Sequence, residues 1–114
     1  IQIPNEGDQI RAWCYIDDSG DAIVAAMTRD EAVGETFNIG NARSSVTIYH
    51  LAKLVVQIAN SQSTLEFVPW DFADVELRIP DVIKAEKLLG FRAKVDLETG
   101  IERTLAWYRT KLGL

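Results

Sequence analysis

Ile48, Leu51, Ala52, Val55, Ile58 and Ala59 recur at the spacing of one helical face, directly after Thr47, a good side-chain cap. No other stretch of the chain carries so regular an amphipathic signal, and it demands a helix with one side packed on a neighbour. The β-favouring stretches around it are short. They cover residues 11–16, 35–39 and 64–68, the last stopped at Pro69. About three such strands cannot build a large sheet, so the pattern predicts a mixed α/β fold, helix-rich and small.

Three more helices are expected. Asp17 and Asp18 open one that runs to about Arg29, their carboxylates suiting the positive end of the helix dipole. Ala22, Ala25 and Ala26 along it point to close packing. Asp81 caps a short helix reaching Leu89, and Gly90 stands where a left-handed C-terminal residue belongs. Asp96 caps the last helix, whose stripe is Leu97, Ile101, Leu105, Tyr108 and Leu112. Residues 1–9 read as a short extended piece and a turn, and residues 70–80 as an acidic, aromatic loop. Strands so few are expected to abut or extend a larger body. A large exposed apolar patch would support that expectation, and a uniformly polar surface would oppose it.

At 114 residues the chain fits one domain, 1–114. Seventeen acidic against 12 basic side chains give a net charge of −5, which argues against a nucleic-acid partner. No apolar run approaches the ~20 residues that cross a bilayer, so no membrane partner is expected. The single cysteine, Cys14, can form no internal disulfide, in keeping with a reducing, cytoplasmic setting. One cysteine and one histidine give no conventional zinc site, and His50 falls on the polar side of its helix. Tyr49 and Lys53 share a Tyr-x-x-x-Lys spacing that arises readily on an exposed helical face. Asp17, Asp18 and Asp21 could hold magnesium, but helix-start acids explain them equally. No catalytic and no metal-binding residue is assigned.

Several phrases, taken together, say more. They are Gly7-Asp8-Gln9-Ile10-Arg11, Tyr15-Ile16-Asp17-Asp18, Phe37-Asn38-Ile39-Gly40-Asn41 and Arg78-Ile79-Pro80-Asp81, then Lys84-Ala85 and Leu89-Gly90-Phe91. In this order they resemble the C-terminal, substrate-binding portion of the extended short-chain dehydrogenase/reductase family, whose members epimerise, dehydrate or decarboxylate nucleotide sugars. The resemblance covers about residues 2–109. It implies a lobe normally attached to a Rossmann domain, which this chain lacks, so that the chain reads as truncated. NAD(P) is implied for the parent protein, on the upstream glycine-rich lobe with its Tyr/Lys pair, and no cofactor for this chain. A nucleoside-diphosphate sugar is the implied ligand, and a homodimer is compatible with the family.

The resemblance also implies site residues. Arg11, in the Gln-x-Arg phrase, would lie beside the diphosphate, because a planar guanidinium matches phosphate oxygens bidentately. Ala12 departs from the family, where many members carry Asp. Arg78, in the intact Arg-x-Pro-Asp phrase, would clamp the same phosphates. Local ion pairs are the rival reading: Asp8 or Asp17 for Arg11, and Asp74, Glu76 or Asp81 for Arg78. Asn38 could contact base, ribose or phosphate or satisfy local backbone, and Asp81 could contact substrate or cap its helix. Trp70 or Phe72 could stack on a base or serve packing. The implied function is a nucleotide-sugar-binding lobe with no reacting side chain of its own. The alternative is a free-standing binding or oligomerisation module that kept the fold.

Overall fold

The computed structural model describes residues 1–113. In chain order the elements are β1 (Gln2–Pro4), β2 (Ile10–Ala12), α1 (Ile16–Thr28), β3 (Ser45–Thr47), α2 (Ile48–Ile58), β4 (Glu66–Val68), β5 (Leu77–Arg78), α3 (Ile83–Leu89) and α4 (Leu97–Leu112). Short 3-10 turns occupy Asp30–Ala32 and Ala42–Ser44. This is the helix-rich α/β fold expected, with its four helices. Its strands pair as β1-β4 and as β3-β2-β5. Two compact units result: Ile1–Arg11, Val46–Arg78 and Glu98–Leu114 in the first, Ala12–Ser45 and Ile79–Leu97 in the second.

In the first unit, β1 and β4 run parallel, with Ile3 opposite Phe67, and Ile3 is fully buried. The helix predicted from periodicity is α2. Thr47 caps it as expected, its hydroxyl accepting from the His50 N–H at 3.1 Å. Ala52 is buried on its inner face. On its outer face the Lys53 ammonium lies 5.5 Å from the centre of the Tyr49 ring, a cation–π contact that accounts for that pair. Asn5, at φ 49°, clasps the backbone of Trp70 from both sides: its amide donates to the Trp70 carbonyl at 3.3 Å and accepts from the Trp70 N–H at 2.9 Å.

The second unit packs Ala22, Ala32, Ala85, Leu89, Phe91 and Ala93 into one buried cluster, with Cys14, Ala25 and Phe37 among the partly buried residues against it. Gly90 closes α3 in the left-handed conformation, φ 63°, as predicted. The opposite side of α1 is bare. Ile16, Ile23 and Met27, at i, i+7 and i+11, share one exposed face with Val24 beside them.

Three local expectations need correction. Residues 35–39 form no strand; Phe37 and Ile39 are held by packing on the apolar cluster instead of by a ladder. The strand expected over residues 11–16 is displaced to Ile10–Ala12, because α1 already begins at Ile16. The loop predicted over residues 70–80 contains β5, whose partner β2 imposes an extended conformation that Leu77 and Arg78 alone do not announce.

Candidate functional site

β2 and β5 are parallel and in register, Ile10 opposite Leu77 and Arg11 opposite Arg78. The Ile10 N–H donates to the Glu76 carbonyl at 2.7 Å and fixes that register. Residues directly opposite one another leave the same face of a sheet, so two guanidinium stems rise side by side. Like charges so placed repel unless something negative lies between or beside them. Arg11 has such a neighbour. Its Nη2 donates to Asp74 Oδ1 at 2.8 Å, its Nη1 donates to the Ile10 carbonyl at 2.9 Å, and its side chain is only 16% exposed.

Arg78 is exposed, and among the described residues no carboxylate lies within ion-pairing distance of it. None of the local ion pairs weighed from sequence forms among the described residues: Asp74, weighed as a partner of Arg78, pairs with Arg11 instead, 63 positions away. The structure takes Arg11 and Arg78, 67 positions apart in the chain, and sets them next to each other. Gln9, two residues before Arg11, is buried, and its Oε1 has no hydrogen-bond partner among the described residues.

The second unit holds a cavity of about 500 Å³ lined by Asn38, Asp81, Ile83, Lys84, Lys87 and Leu88. Gly40 makes this possible, since a Cβ there would stand 2.5 Å from the Pro80 ring. The missing side chain lets the Asn-Ile-Gly segment lie against the Pro-Asp segment, and Asn38 and Asp81 reach one hollow. Asp81 also performs its local duty, Oδ1 accepting from the Ile83 N–H at 2.9 Å at the start of α3. Lys84 is tied to Glu35 at 2.6 Å and lies 5.2 Å from the centre of the Phe37 ring. Asn41, by contrast, is buried structure: it donates to Ser44 Oγ at 2.9 Å and to the Val95 carbonyl at 3.1 Å.

Asp18 is not a cap. It is buried inside α1 and accepts from the Lys94 N–H at 3.1 Å and the Val95 N–H at 3.0 Å, which pins the chain after α3. Trp70 and Phe72 are exposed and meet edge to face, with ring centres 5.4 Å apart. Sequence reasoning set Asp74 beside the wrong arginine and missed Lys87. Asp74 is one acid among several in an irregular stretch, and no spacing marks the one that meets Arg11. Lys87 lies three residues after Lys84 on α3, a pattern equally common on helices without a ligand.

The family profile described as GDP-mannose 4,6 dehydratase matches residues 3–104. UDP-glucuronic acid decarboxylase 1 of Arabidopsis thaliana is 33% identical over 112 residues, covering 98% of this chain and 25% of that protein. Among solved structures, a UDP-glucose 4-epimerase from Thermotoga maritima with UDP-glucose superposes with a TM-score of 0.89 at 33% identity. That match covers 98% of this chain and 35% of the epimerase. A UDP-glucuronic acid 4-epimerase from Bacillus cereus, in complex with UDP-glucuronic acid and NAD, gives 0.87 at 26% identity, over 96% and 35% of the two chains. The chain spans about a third of the length of the curated relatives it matches.

Proposed function

Because the chain belongs to the GDP-mannose 4,6-dehydratase family, within the extended short-chain dehydrogenase/reductases, we propose that it is the nucleotide-sugar-binding lobe of an NAD(P)-dependent epimerase, dehydratase or decarboxylase. The observation that carries this reading is the Arg11–Arg78 register: two arginines at paired strand positions, one of them without a carboxylate among the described residues, offer a receptor for a diphosphate. A phosphate group placed between them removes their mutual repulsion and accepts from both. Asn38 and Asp81, which line the cavity of the second unit, are assigned separately as ligand-contact candidates of that unit. The bare apolar face of α1 supports a further body of protein in the parent, as do relatives of about three times this length.

The dinucleotide is not assigned to these residues. No two of the seven glycines lie within five positions of each other, so the chain offers no glycine-rich phosphate loop. The contribution of this lobe to the reaction is positional. Binding energy gathered at the diphosphate, remote from the reacting carbon, holds the sugar in a productive orientation.

Titration of the chain with pyrophosphate, UDP and UDP-sugars, followed by calorimetry, tests the assignment. Arg11→Ala and Arg78→Ala should each weaken binding by about tenfold to a hundredfold, from about 1.5–3 kcal/mol per charge-assisted hydrogen bond. Equal affinity in the wild type and the double variant would remove the diphosphate site.

A further inference from the structure

Asp74 is held in place before it meets Arg11. Its Oδ1 accepts from the N–H of Val75 at 2.7 Å, so the carboxylate is locked to its own turn. The same oxygen accepts from Arg11 Nη2 at 2.8 Å. Two residues further on, the Glu76 carbonyl accepts from the Ile10 N–H at 2.7 Å, which fastens this stretch of chain to β2. Asp74 is therefore a fixed post and not a swinging side chain. We propose that Asp74 is a positioning residue of the anion site: it sets the plane of the Arg11 guanidinium so that the unused donors of Arg11 and Arg78 address one phosphate group.

The donor count supports this. A guanidinium has five N–H groups, and the bonds to Asp74 and Ile10 use one on each terminal nitrogen. The rest of the fork stays available to an anion. Asp74 meets Arg11 through Nη2 alone and so does not itself close a bidentate pair with the guanidinium. Its charge also offsets part of the repulsion between Arg11 and Arg78, which helps hold both in place while the site is empty. The inference rests on the diphosphate reading above, and it names which residue orients the arginine that does the binding.

Asp74 is 43% exposed, so its substitution should leave the fold intact, which a thermal melt verifies. Asp74→Asn should weaken binding of pyrophosphate and of UDP about threefold to tenfold, while Asp74→Glu stays within about twofold of the wild type. In an Arg11→Ala background Asp74→Asn should have no further effect, since its action passes through that guanidinium. Affinity that is unchanged or increased by Asp74→Asn, or an equal loss in the Arg11→Ala background, overturns the role of Asp74 alone. A wild-type chain that binds neither probe overturns the anion site and the role of Asp74 together.

Discussion

A carboxylate in the first turn of a helix can serve the dipole, cap the end or reach across to another segment, and Asp17 and Asp18 show how alike these look in sequence. Asp17 is exposed, whereas Asp18 is buried and receives backbone N–H groups from Lys94 and Val95, some 76 positions away. Nothing local announces that destination, so a residue that reads as a helix-opening acid turns out to hold a distant segment. Asp18→Ala strands those amides without acceptors and should cost about 3 kcal/mol in denaturant unfolding; a loss under about 1 kcal/mol would mean that water replaces the carboxylate. Gln9 poses the reverse case. Its buried Oε1 lacks a donor, so Gln9→Met should leave stability unchanged or raise it by about 1 kcal/mol. A clear drop in the melting temperature would reveal a partner for that oxygen. Arg11 and Arg78 were singled out from the phrases around them, but their adjacency is a product of strand register and appears only in three dimensions.

Among elements, α2 was read almost to the residue, because a six-member apolar stripe and a hydroxyl cap agree with each other. α3 was legible from its ends, Asp81 before it and the left-handed Gly90 after it. The strands were not. A strand of two or three residues owes its existence to its neighbour, so β5 hid inside a stretch that reads as loop, and residues 35–39 look extended but pair with nothing in a ladder. The candidate cavity depends on a contact between segments of this kind. Gly40→Ala would press a methyl group into the Pro80 ring and should destabilise the fold by about 1–3 kcal/mol. Amide resonances of Asn38 and Asp81 should shift with it, while that of Arg11 stays put. Unmoved Asn38 and Asp81 signals would show that the cavity does not rely on this approach.

For the molecule as a whole, the inventory of buried apolar residues is small. Ile3, Leu89 and Phe91 are the only buried apolar residues larger than alanine among those described, while Ile23 is 60% and Met27 79% exposed. Composition alone, at 47% hydrophobic, does not reveal this, because it counts apolar residues without saying which of them find a place inside. The exposed face of α1 is an apolar patch of the kind that the sequence reading named as support for a larger neighbouring body. Ile23→Lys and Met27→Lys should change unfolding free energy by no more than about 0.5 kcal/mol, lysine being a good helix former. Both should also lower self-association measured by sedimentation. A destabilisation beyond about 1.5 kcal/mol would show that these side chains support the fold of the isolated chain.

The clasp of Asn5 on Trp70 gives the experimenter a built-in optical reporter. With Trp13 and Trp107 replaced by phenylalanine, the emission of the remaining indole reports whether the opening residues of the chain stay seated beside β4. Loss of that seating on Asn5→Ala should appear as a red shift well before global melting.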